Sequence, residues 1–113
     1  MNSYESGLFA EFIARWYLRL RGFRILKSRY VTGRHTGRAE IDIIARRGNL
    51  IIFVEVKKRP SIEDAFVAIG PAQSARLRGA AETWLARAGW AGDARFDVIA
   101  VCGRRLRWLR GVI

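Results

Sequence analysis

Asp42, Glu55 and Lys57 stand on two apolar segments joined by Gly48-Asn49, and their spacing suits them to hold a divalent cation beside a phosphate. Gly48-Asn49 fits a two-residue hairpin turn, which sets Arg47 opposite Leu50 and carries antiparallel pairing outward. In that register Asp42 faces Glu55, and Glu40 faces Lys57. Residues i and i+2 of a strand share a face, so all four side chains project from one side of the sheet. Two carboxylates about 5 Å apart repel by roughly 3 kcal/mol at an effective dielectric of about 20. A hard cation such as Mg²⁺ or Mn²⁺ prefers carboxylate oxygens and turns that repulsion into attraction. An ammonium two residues beyond Glu55 would steady a phosphate or a water. The set is the minimal equipment for metal-assisted phosphodiester hydrolysis. A second reading makes Glu40–Lys57 a structural cross-strand ion pair. It leaves the opposition of Asp42 and Glu55 without a reason.

Such a cluster needs a sheet to carry it and helices to cover that sheet. Residues 3–21 carry Leu8, Phe9, Phe12, Ile13, Trp16, Tyr17 and Leu20 at helical spacing, which predicts a helix with a wide apolar face. Ser3 suits its N-cap and Gly22 its stop. Glu11, Arg15 and Arg19 form the polar stripe, so periodicity puts Glu11 on an exposed edge, where it can pair with Arg15. Residues 23–30 read as a first strand, followed by a loop with two glycines and with Arg34, His35 and Arg38. The hairpin strands follow, with Leu50 to Val54 apolar throughout, as a strand covered on both faces requires. Ser61 caps a short helical piece to Ala68, and Pro71 opens a longer helix to Ala88. Residues 95–102 form a fourth strand, and Gly103-Arg104 turns into a short basic strand through Leu106, Trp108 and Arg110. The order α-β-β-β-α-β-β describes a mixed α/β sheet flanked by helices, and the whole span 1–113 reads as one domain.

The formal net charge is +11, with a sequence pI near 11.3, which favours polyanionic partners, nucleic acid first among them. Arginine dominates; the lysines are Lys27, Lys57 and Lys58. No stretch reaches the roughly 18–20 apolar residues of a membrane span, and no secretory n- and h-region opens the chain. With a single cysteine, Cys102 in an apolar run, a cytoplasmic location is expected. A Cys/His zinc pattern is absent from the sequence. Trp90 either covers the sheet edge or stacks on a base.

Several blocks recur together: Ala10-Glu11, Gly22-Phe23-Arg24-Ile25-Leu26, Ala39-Glu40-Ile41-Asp42-Ile43-Ile44-Ala45, Phe53-Val54-Glu55-Val56-Lys57-Lys58-Arg59 and Arg95-Phe96-Asp97-Val98. In this order they resemble the YraN family of small bacterial proteins, itself similar in fold to archaeal Holliday-junction resolvases and the PD-(D/E)XK restriction-endonuclease-like nucleases. The resemblance spans about residues 5 to 102. It implies a restriction-endonuclease-like sheet, with Asp42 and Glu55 as metal-binding carboxylates, Lys57 as the catalytic lysine and Glu11 as the helix glutamate turned toward the metal. Glu40 matches the acidic residue two before the aspartate, and Gln73 stands where the family usually carries lysine. Ala10 and Ala39 replace family glycines, and the loop at 31–38 is a few residues longer than usual.

Residues and resemblance together lead to a Mg²⁺- or Mn²⁺-dependent DNA endonuclease, acting on branched or structured DNA. Asp42, Glu55, the Val56 carbonyl and Glu11 are its expected metal ligands. Arg15, Arg38, Lys58, Arg59, Gln73 and Arg76 are the expected nucleic-acid contacts. The alternative is a nucleic-acid-binding module that keeps the fold without turnover. A homodimer, as in resolvase-like proteins, is the oligomeric expectation.

Overall fold

The run Leu50–Val54 has no polar position, so β3 can be stable only with both faces covered, and the fold is organised around that need. In the computed structural model, residues 2–32 and 39–113 are described; Arg38 and His35 lie outside them. The elements are α1 (Ser3–Leu20), β1 (Arg24–Thr32), β2 (Ala39–Arg47), β3 (Leu50–Lys58), α2 (Ile62–Val67), α3 (Pro71–Ala88), β4 (Asp93–Cys102) and β5 (Arg105–Arg110). They build one sheet in the order β1-β2-β3-β4-β5, antiparallel except between β3 and β4. That parallel step needs a crossover, and α2 and α3 supply it. On one face Ala10, Ala14 and Leu18 of α1 pack with Ile43, Ile52, Val54 and Ile99. On the other, Leu77, Ala80 and Ala81 of α3 pack with Ile44, Ile51 and Phe53. The mixed α/β sheet flanked by helices is therefore the expected one.

The hairpin turns at Gly48-Asn49. Gly48 takes φ 59°, the left-handed value that a turn with glycine at its first central position demands. The Asn49 carbonyl accepts from the Asp93 N–H at 2.8 Å, and β4 begins there, two residues before the Arg95 expected from the sequence. Trp90 packs in the cluster beneath α3, its Nε1–H donating to the Asp93 carbonyl at 2.9 Å, with Arg46 over its ring. It covers the end of the sheet at the β2–β3 hairpin and not an edge strand, the edges being β1 and β5.

Helix α1 departs from expectation at both its cap and its face. Asn2, not Ser3, caps it, its side chain accepting from the Glu5 N–H at 2.8 Å. The buried stripe is Ala10, Ala14 and Leu18, whereas Phe9, Phe12, Trp16 and Leu20 are 50 to 78 % exposed. Periodicity identifies a helix, but the sheet selects which stripe it takes, and alanines let a helix approach a flat surface closely.

In the middle of β4, Asp97 is fully buried. Its carboxylate accepts from Arg95 at 2.8 and 2.9 Å, from Trp108 Nε1–H at 2.8 Å and from the Gly111 N–H at 2.9 Å. One side chain thus ties β4, β5 and the chain beyond β5 together.

Strand β1 contains a second device. Arg29 has φ 55°, in the left-handed region that costs a non-glycine residue roughly 1–2 kcal/mol. Pairing with β2 runs Ser28↔Ile43 and then Tyr30↔Ile41, leaving out Arg29 and Asp42. Arg29→Gly and Arg29→Ala both lose the side chain, but only glycine relieves the backbone. We expect Arg29→Gly to be more stable than Arg29→Ala by about 1 kcal/mol in urea unfolding; equal stabilities would mean that the strand relaxes without strain.

Candidate active site

The β2–β3 ladder runs Arg47↔Leu50 to Ile43↔Val54, in the register the hairpin dictates, and then ends. Asp42 and Glu55 are the next residues out, and they are not a ladder pair. Instead the Val56 N–H donates to Asp42 Oδ2 at 2.8 Å, so a side chain takes the place of the rung. Ile43 and Ala45 pack on the α1 side, whereas Ala39 and Ile41, of the same parity, pack on the α3 side. The alternation of faces reverses at Asp42, which is unpaired toward both neighbouring strands. The expected direct opposition of Asp42 and Glu55 is thus a fork whose inner edges carry both carboxylates.

The fork opens into a cleft of about 280 Å³ lined by Glu11, Glu40, Asp42, Glu55, Val56, Lys57, Gln73 and Arg76, with Ala39 and Leu77 behind them. β2 and β3 supply the acids and Lys57, α1 supplies Glu11, and the first turns of α3 supply Gln73 and Arg76. Glu55 is only 3 % exposed. Its Oε2 lies 3.9 Å from Lys57 Nζ, and its Oε1 is buried without a hydrogen-bond partner. Burial pushes the Glu55 carboxyl up to about 8, and the Asp42 charge adds to that push while Lys57 opposes it. Burial likewise raises Asp42 to about 6 against the stabilising Val56 N–H, with the Glu11 charge contributing. Without a cation the pair therefore resists full ionisation at neutral pH.

Glu40 lines the cleft but is exposed. Among the described residues Lys57 pairs with Glu55 and not with Glu40, because the strands have parted before Glu40 and Lys57 could oppose each other. Glu11 is turned inward, its side chain 12 % exposed, and is clasped by Arg29 at 3.0 and 3.3 Å. That corrects the exposed edge and the Arg15 pair expected from periodicity: a partner on β1 outcompetes one turn of helix. Arg29 carries no motif, and a left-handed residue inside a strand leaves no trace in composition, so sequence reasoning missed it. Among the described residues no three His, Cys, Asp or Glu side chains converge closely enough to enclose an ion.

A second cleft of about 590 Å³ adjoins the first through Glu11, Val56 and Lys57. Ser3, Ser6 and Gly7 of α1 form one wall, and Lys58, Arg59, Pro60 and Gly103 form the other. Lys58 Nζ donates to Ser6 Oγ across it. Of the expected nucleic-acid contacts, Gln73 and Arg76 therefore stand at the acidic cleft and Lys58 and Arg59 at the basic one. Arg15 lines neither, and Arg38 lies outside the described residues. No helix of the described residues is long and apolar enough to cross a membrane.

Comparison with known proteins places these features in a family. A UPF0102 protein of Bartonella bacilliformis is 44 % identical over 93 % of this chain and 84 % of its own length. One from Bradyrhizobium diazoefficiens is 43 % identical over 92 % and 77 % respectively, and one from Agrobacterium fabrum is 46 % identical over 86 % and 78 %. The model of the uncharacterised protein family UPF0102 matches residues 10–101, which span Glu11, the fork, Gln73 and Asp97. The chain belongs to the uncharacterised protein family UPF0102, the YraN family that its sequence blocks resemble.

Proposed function

We propose that the cleft hydrolyses phosphodiester bonds in nucleic acid, with DNA as substrate and Mg²⁺ or Mn²⁺ as the resident ion. The observation that carries this reading is Glu55 Oε1, a buried acceptor without a partner beside a second carboxylate. Among the described residues only the Tyr30 hydroxyl shares that state, and a cation would satisfy the Glu55 oxygen while removing the repulsion that holds the pair partly protonated. The donor set fits such an ion: two carboxylates and a carbonyl make the partial shell expected of Mg²⁺, which retains several waters.

Asp42, Glu55 and the Val56 carbonyl would hold the ion, and Glu11 would join directly or through a water once released by Arg29. An ion held by these residues would supply Lewis acidity for the scissile phosphate and for a nucleophilic water. The chain's own residues do the rest. The Val56 N–H fixes Asp42 Oδ2, which leaves Oδ1 as the oxygen to meet an ion. Lys57, 15 % exposed, orients the attacking water or stabilises negative charge as it develops. Arg76 and Gln73 on one side, and Lys58 and Arg59 on the other, grip the phosphates flanking the cleaved bond.

The second reading, a nucleic-acid-binding module without turnover, draws support from the engaged Glu11 carboxylate and from Gln73 in place of a lysine. Calorimetric titration with Mn²⁺, followed by cleavage of plasmid and four-way-junction DNA, separates the two. The native protein is expected to bind the ion and cut, and Asp42→Ala to do neither. Equal cleavage by both proteins would expose contamination. DNA binding that weakens with salt, with neither ion binding nor cleavage, would establish the second reading instead.

A further inference from the structure

The outward stripe of α1 is unexplained by the cleft, which uses the other side of the same helix. Phe9, Phe12, Trp16 and Leu20 are 51, 50, 50 and 78 % exposed, at successive spacings of three, four and four residues. This is the ridge that one helix offers another. We infer that this stripe is the two-fold interface of a homodimer, in which α1 packs antiparallel against α1 of a second copy. The inference goes beyond the hydrolase reading and does not depend on it.

The choice of a second copy rests on how the stripe is arranged. An isologous contact requires that if residue i meets j, then j meets i. About a centre near Phe12 the stripe meets that condition. Phe12 falls on its own counterpart, Glu5 opposite Arg19, Leu20 opposite the exposed Tyr4, and Phe9 within one residue of Trp16. The charges agree with that pairing: the first turn of α1 carries Glu5, the last carries Arg19, and an antiparallel partner brings opposite signs together at both ends. Arg19 already lies over the Trp16 ring, its guanidinium 5.2 Å from the centroid, so its charge sits at the margin of the stripe.

The area is sufficient. With an aromatic side chain worth roughly 150–250 Å², the exposed parts of the stripe amount to roughly 400 Å² of apolar surface per chain. Doubled by symmetry and ringed by Glu5, Arg15 and Arg19, the contact reaches roughly the 1,000 Å² at which specific interfaces begin. A membrane surface fits less well. A lipid-binding helix is rich in Lys and Arg along its polar face, whereas this one carries Glu5 at its first turn.

Sedimentation velocity on the full chain tests the inference. The expected particle is twice the 12.9 kDa chain, and Trp16→Glu is expected to sediment as a monomer with an unchanged circular-dichroism spectrum. Glu5→Arg, at the rim of the stripe, should weaken the dimer about tenfold, and Glu5→Arg combined with Arg19→Glu should restore it. In a Cys102→Ser background, Phe12→Cys should cross-link to itself on oxidation. The inference fails if the native chain is a monomer at every concentration reached. It also fails if Trp16→Glu leaves a dimer intact, or if the double reversal is no better than the single one. A monomer that instead floats with phosphatidylglycerol vesicles through Trp16 would assign the stripe to lipid and overturn the dimer.

Discussion

Glu55→Gln is expected to stabilise the ion-free protein at alkaline pH while abolishing ion binding and any cleavage. Glu55 in the fold holds its proton to about 8, far above the ordinary 4.5. A group raised in this way contributes stability that is complete below about 4.5 and lost as pH rises through about 8. The native ion-free protein should therefore melt at a lower temperature at pH 9 than at pH 6. Glutamine keeps the volume, removes the second charge, and can donate to Asp42. The gain at pH 9 is on the order of 2–4 kcal/mol, and it shrinks to near zero toward pH 5, where the native residue is neutral too. Saturating Mg²⁺ should remove the alkaline loss in the native protein and leave the variant unmoved. Thermal melts at pH 5, 7 and 9, with EDTA or Mg²⁺, measure all of this. A native melting temperature that stays level from pH 6 to 9 in EDTA would contradict the buried-pair account.

Asp97→Ala is expected to have the largest destabilising effect of any change outside the cleft. The substitution removes the acceptor for Arg95, for the Trp108 indole and for the Gly111 N–H at once. Breaking a buried, hydrogen-bonded charge pair costs about 3–5 kcal/mol. Arg95 remains 30 % exposed and can recover some hydration, so the lower end of that range applies. Against a total stability of about 5–15 kcal/mol for a domain, that is a large fraction. Asp97→Asn keeps two oxygen-directed contacts at most and should cost about half as much. Chemical denaturation of the three proteins checks the order; an Asp97→Ala protein within 1 kcal/mol of native, where about 3 is expected, would show that the clasp is decorative. No chemistry need be invoked for this aspartate, although it sits in one of the blocks that carry the family resemblance.

How much of this was legible beforehand depends on the physics behind each feature. The hairpin was readable because Gly48-Asn49 is a turn signal with a mechanism, and the ladder from Arg47↔Leu50 to Ile43↔Val54 follows from it. The fork beyond it was not, because a carboxylate that captures a neighbouring strand's N–H competes with the ladder only after both strands are placed. Pro71, Ser61 and Gly22 marked their helix ends through local chemistry. The buried stripe of α1 was misassigned, since hydrophobicity favours Phe12 and Trp16 over Ala10 and Ala14, whereas shape decides which side meets the sheet. Glu11 shows the same limit. Its helical position suggested solvent, and only the tertiary approach of Arg29 turned it inward.

The parting of β2 from β3 has a mechanical meaning. Up to the last rung the two strands behave as one plank, with the apolar packing fastened to it on both sides. Beyond that rung they are separate tines, and the mismatched acids sit at the crotch. Each tine stays laced to its outer neighbour, Glu55 opposite Val98 on β4 and Ile41 opposite Tyr30 on β1, so the parting is confined to the seam between β2 and β3. The molecule thus carries an awkward pair of like charges at its most useful point, and the ion-free fold bears that load until a cation in the crotch would lift it.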